Sequence, residues 1–113
     1  MNKNTQTLKE IFAEALKNFN KKDFKNAEIF CYKILSINSN HKDSLFLLAT
    51  ISAMLNNFKK AVELMLKLVE LDPSNKSYLN NLGTAYKELG NLKEAENIYK
   101  KILNIDPKYT NAN

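Results

Sequence analysis

The sequence predicts an all-α fold, three helical hairpins stacked in tandem as a solenoid. Three observations carry that expectation. Apolar positions recur every 34 residues, as in Ala27, Ala61 and Ala95, in Phe24, Phe58 and Leu92, and in Ile34, Leu68 and Ile102; this is the period of helix–turn–helix repeats. The polar stops keep the same step, Asn38, Asp72 and Asp106, each followed by Ser39, Pro73 or Pro107. Only two glycines and two prolines occur in 113 residues, too few for a turn-rich sheet protein. One hairpin alone cannot bury its apolar stripe, whereas stacked hairpins cover one another.

The elements follow in order. A polar tail, residues 1–7, precedes a repeat region, residues 8–107, whose units are 8–41, 42–75 and 76–109. The first unit predicts helices near Leu8–Phe19 and Phe24–Ile37, joined through Asn20 to Asp23, with Asp23 as N-cap and Asn26 where a capping box would carry glutamate. The second predicts helices near Lys42–Leu55 and Phe58–Leu71 around an Asn56-Asn57 turn. The third predicts Lys76–Leu89 and Leu92–Ile105 around Gly90-Asn91. Asn91 is expected to cap the last helix, with Glu94 completing the reciprocal pair. Asp72-Pro73 and Asp106-Pro107 end their helices because the residue before proline is pushed out of the helical region. Gly83 stands mid-helix, where glycine costs about 1 kcal/mol against alanine. Ala49 and Ala15 hold that slot in the earlier units, so the slot is expected to mark close packing within each hairpin.

Composition limits the chemistry. At 113 residues and 44 % apolar, the chain reads as one domain with a modest core. Its single cysteine, Cys31, falls inside a helical pattern and is expected to be a buried structural thiol; no disulfide framework is possible. That usage fits a reducing, cytoplasmic setting. Residues 1–7 do not resemble a secretory signal, and no apolar run approaches the roughly 20 residues that span a bilayer. All 17 basic residues are lysine, which removes the bidentate fork favoured for phosphate and guanine. The net charge of +5 would attract an acidic peptide or nucleic acid, but acidic residues interleave the lysines and nucleic acid is not the expected partner. His41 is the only histidine. The sequence contains no metal-ligand cluster, phosphate-cradling glycine loop or HExxH pattern. It is therefore expected to be non-catalytic, with no cofactor and no metal.

The third unit resembles a tetratricopeptide repeat, through Leu79, Leu82-Gly83, Tyr86, Ala95, Tyr99 and Pro107, with Leu79 where tryptophan often stands. The second resembles it through Leu45, Leu48-Ala49, Ala61, Met65 and Pro73, departing at Ser52. The first does so through Ile11, Ala15, Ala27 and Cys31, departing at Glu14 and Asn18. The resemblance implies right-handed stacked hairpins whose first helices line a concave face that binds a protein or extended peptide. Carried over position by position, it places Phe12, Leu16, Phe46 and Leu47 on an apolar stretch of that groove and Asn80, Asn81 and Thr84 on a polar one. The carboxylate clamp of some family members is missing, because Phe12, Leu16, Leu47 and Ser77 hold its positions. The segment Tyr78 to Gly83 also resembles repeats ahead of protein O-linked glycosyltransferase domains, where asparagines hold a peptide backbone.

Two functional classes follow. The leading expectation is a non-catalytic scaffold recognising a protein or peptide through the groove, in which Phe12, Leu16 and Phe46 are either anchors or core. The alternatives are a recognition segment of a larger glycosyltransferase-type protein and a self-assembling module. The last rests on the final helix, where no following helix is available to cover Tyr99, Ile102 and Leu103; a homo-oligomer through that end is the expectation.

Overall fold

A computed structural model describes residues 6–108; Met1 to Thr5 of the expected tail and Tyr109 of the third unit lie outside them. Six helices occur: α1 (Leu8–Asn20), α2 (Phe24–Ile37), α3 (Lys42–Met54), α4 (Phe58–Leu71), α5 (Lys76–Glu88) and α6 (Leu92–Ile105). There is no strand among the described residues. The pairs α1–α2, α3–α4 and α5–α6 form hairpins, and α2–α3 and α4–α5 join them in a chain of neighbours. The result is a tetratricopeptide-like solenoid, 51 × 25 × 20 Å. Its radius of gyration of 15.5 Å exceeds the ~13 Å of a compact domain of this length, because each hairpin touches only its neighbours.

The hairpin turns are one structure repeated three times. Lys22, Asn56 and Gly90, each 34 residues apart, take φ of 64°, 62° and 83°, the left-handed conformation that ends a helix. Around each, the same two backbone bonds form: Lys22 N–H donates to Phe19 O and Asp23 N–H to Asn18 O at 2.9 Å, and the pairs repeat in the other two turns. The orphan carbonyls of α1, α3 and α5 are thereby satisfied.

Caps fix the starts. Thr7 and Glu10 form a capping box on α1, and Asp23 accepts from Asn26 N–H at 3.2 Å while its other oxygen takes the Asn26 amide at 2.7 Å. His41 caps α3: its Nδ1 accepts from Ser44 N–H at 3.2 Å. Asn91, expected to cap α6 with Glu94, makes no side-chain cap bond. The turn there is tighter, and Leu92 N–H is already satisfied by Gly90 O at 2.9 Å.

The slot shared by Ala15, Ala49 and Gly83 explains how hairpins close. A Cβ on Gly83 would stand 2.7 Å from the Tyr99 ring, so the glycine makes room for an aromatic on the facing helix. One and two steps earlier the facing residues are Met65 and Cys31, and Ala49 and Ala15 share buried clusters with them. The slot loses its methyl group where its partner gains a ring. Between hairpins, Lys60 of α4 reaches Glu28 at 3.5 Å and lies 4.8 Å from the Tyr32 ring centre, and Lys76 pairs with Asp106 at 3.0 Å.

Candidate functional site

Two seams run between first helices, α1 against α3 and α3 against α5. The first is packed. Leu47 and Ile51 of α3 are buried with Ala15, Ala27 and Cys31, and Phe12, Phe19 and Phe24 close over that cluster. Leu47, expected on the groove, is only 6 % exposed and belongs to this core. Phe12 and Phe46 are half-buried: Phe12 packs on His41 with ring centres 5.8 Å apart, and Phe46 on Tyr78 at 5.6 Å. Of the four apolar residues expected on the groove, Leu16 is the one that stays exposed, at 39 %.

The second seam is open. A cavity of about 150 Å³ lies between α3 and α5, with Phe58, Ala61 and Met65 of α4 as its floor and Ala49, Thr50, Ala53 and Met54 on one wall. Asn81, Thr84 and Ala85 form the other wall. Each residue that fills the first seam has a smaller or more polar counterpart here, one 34-residue step on: Phe19 becomes Ala53, Leu47 becomes Asn81 and Ile51 becomes Ala85. Asn81 and Thr84 are thus brought together at the rim. Their donors are committed inward, Asn81 Nδ2 to Ser77 O at 2.8 Å and Thr84 Oγ1 to Asn80 O at 3.0 Å. What they present outward is acceptor oxygen, suited to N–H groups. A space of this size holds a group on the order of a benzene ring.

Residues 20–102 match the model of the family described as anaphase-promoting complex, cyclosome, subunit 3. The chain belongs to that family. No curated protein matches it. Among solved structures, it is similar to an O-GlcNAc transferase of Thermobaculum terrenum, at 25 % identity and TM-score 0.78, over 96 % of this chain and 22 % of the transferase. It is similar to the first TPR domain of Spaghetti (RPAP3), solved with the HSP90 peptide SRMEEVD, at 20 % identity and TM-score 0.83, over 96 % of this chain and 86 % of that one. It is also similar to MamA AMB-1, at 17 % identity and TM-score 0.87, over 98 % of this chain and 61 % of that one. The chain thus spans about a fifth of the transferase and most of the RPAP3 domain.

In this member of the subunit 3 family, the residues expected at the far end divide. Ile102 is fully buried with Leu79, and offers nothing to a partner; Tyr99 and Leu103 pack beside that pair and are half-buried. The exposed remainder of the face is Leu92, Glu96 and Lys100, which with Ala95, Tyr99 and Leu103 line a shallow depression. Sequence reasoning passed over Ala53, Ala85, Met54 and Phe58 in the open seam. The signal was present: small residues at the steps where the first unit and α3 carry Phe19 and Ile51.

Nothing in the subunit 3 member assembles a reactive centre. Cys31 is fully buried; burial, helped by the Glu28 carboxylate, pushes its thiol up to about 12, the opposite of an activated nucleophile. No group of three or more His, Cys, Asp or Glu that could hold a metal ion occurs among the described residues, and no helix among them is long and apolar enough to cross a membrane.

Proposed function

We propose that this chain is a non-catalytic scaffold that binds a protein or extended peptide along its first helices, with one apolar side chain of the ligand anchored in the α3–α5 seam. The observation that carries the reading is the cavity itself, apolar on its α3 and α4 walls and edged by acceptors at Asn81 and Thr84. An apolar side chain enters, and the peptide N–H groups beside it meet the acceptors. Kinship with a family named for a subunit of an assembly, and likeness to a TPR domain solved with a peptide, support the same reading.

Ala53→Phe tests it by filling the seam as Phe19 fills the first. Peptides selected from a displayed random library against the full chain should share an apolar residue. They should lose at least about tenfold in affinity to Ala53→Phe, the cost of one unburied apolar side chain. Equal binding by the filled variant would defeat the proposal.

Similarity to the O-GlcNAc transferase supports a second reading, a recognition segment serving a glycosyl-transferring protein, in which asparagines hold the peptide backbone. Asn80 would carry that role. Loss of peptide binding in Asn80→Ala, with Ala53→Phe unaffected, would favour this reading over the anchored one.

A further inference from the structure

The solenoid contains its own standard for what a covered second helix looks like. Leu35 of α2 packs against the cluster that includes Leu45 of the next helix, and Val69 of α4 packs against Leu79 of α5. The same step on α6 is Leu103, with Leu92 at 63 % exposure seven residues behind the Tyr99 ring, and no described helix lies over them. The outer face of α6 is therefore built like an interior face.

The opposite end is not. The positions by which α3 packs on α2 hold Ser44, Leu47, Leu48 and Ile51, all buried; on α1 they hold Glu10, Ala13, Glu14 and Lys17. This end carries charge where a stacked helix would need apolar surface. A second copy placed head to tail would press Glu10, Glu14 and Lys17 onto Leu92 and Leu103 and strip their charges of water. Indefinite stacking of copies is disfavoured by the sequence of α1 itself.

The α6 face does complement itself. Along its exposed stripe the order is Leu92, Glu96, Lys100, Leu103, and Glu96 and Lys100 already pair at 3.0 Å, two-thirds exposed. Reversed end for end, that order is an apolar residue, a cation, an anion and an apolar residue. Two copies related by a two-fold axis near Asn97 and Ile98 would set Leu92 against Leu103 of the second copy and Glu96 against Lys100 of the second copy, twice over. A parallel arrangement would oppose like charges. Ala95, at the floor of the depression, leaves space between the helices for the stems of the lysines.

We propose that a second copy of this chain covers the outer face of α6, the two copies packing α6 antiparallel in an isologous, closed dimer. The proposal stands independently of the peptide-binding seam, which lies on the other side of α5. A single helix face is a small interface, so the dimer belongs to the weak class and forms with a dissociation constant on the order of 0.1 mM.

Sedimentation equilibrium of the full chain, from micromolar to millimolar concentration at about 0.1 M salt, tests it. The expected result is a monomer–dimer equilibrium that stops at two. Lys100→Glu should weaken it at least about tenfold by facing carboxylates with carboxylates. Glu96→Lys combined with Lys100→Glu should restore it, because the swapped pair is again complementary. Both positions are exposed, so neither variant threatens the fold, and circular dichroism confirms that in the same samples. A monomer throughout, a mass that keeps growing with concentration, or a dimer indifferent to Lys100→Glu would each overturn the proposal.

Discussion

The α1–α3 seam and the α3–α5 seam are built on the same backbone step, yet one is core and the other is a cavity. The difference lies in three positions. Phe19, Leu47 and Ile51 fill the first; Ala53, Asn81 and Ala85 leave the second open. Side-chain volume at a few matched positions decides whether a repeat junction serves stability or recognition, while the helices and turns around it stay the same. A repeat protein can thus spend one junction on cohesion and leave the next for a ligand.

The largest effect should come from emptying the packed seam. Ile51→Ala removes a fully buried side chain and should cost about 2–5 kcal/mol, read from urea unfolding; a cost below about 1 kcal/mol would mean that the first seam is as loose as the second. Gly83→Ala should cost about 1–3 kcal/mol through overpacking against Tyr99. Tyr99→Met in the same chain should recover part of that loss, because it recreates the Ala49–Met65 pairing of the middle hairpin. A double-mutant cycle with no coupling would break the fit inferred from the 2.7 Å approach.

Cys31 reports on the packed seam through pH. The folded state holds its proton up to about 12, whereas an unfolded thiol releases it near ~8.5. Above that pH the unfolded chain binds fewer protons, so stability falls as pH rises, until the folded thiol ionises as well. The contribution is at most about 1.4 kcal/mol per pH unit, and Cys31→Ala should flatten the alkaline slope by that amount. At pH 8 the thiol should also resist alkylation except through unfolding.

Lys22→Gly should stabilise by about 0.5–1 kcal/mol, since a lysine at positive φ is strained there and Gly90 is not. Thermal unfolding measures it. The smallest change in stability belongs to Ala53→Phe, expected within about 1 kcal/mol because an open cavity receives the ring; a much larger loss would show that the second seam was already full.

Much of the architecture was legible in the sequence. Three of the six helices, α2, α4 and α6, begin and end where the pattern placed them, because the polar stops and turn residues recur at one step. The close-packing slot at Gly83 was legible too, since a mid-helix glycine needs a reason. The site was less so. Phe12, Phe46 and Leu47 carry the residue types of a binding surface, but whether such a residue is exposed depends on the volume facing it across a seam. Ile102 was placed on an association surface and is core, because α5 covers the inward half of the same apolar stripe. The cavity was missed because it is made by alanines, and a pattern that looks for large residues does not register small ones.

The fit of Gly83 to Tyr99 bears on how such a chain can be copied. A crossover that moved α6 next to α3 would bring a ring against the methyl group of Ala49, and one that moved α5 next to α4 would leave Met65 facing a gap. The two halves of each fit lie within one hairpin, so duplication of a whole hairpin preserves it and duplication of a single helix does not. The junctions at Asn38–His41 and Asp72–Asn75 close with their own backbone bonds, His41 N–H to Asn38 O and Asn75 N–H to Asp72 O, each at 3.2 Å. They are the places where such a gene could be cut and rejoined without disturbing what is packed on either side.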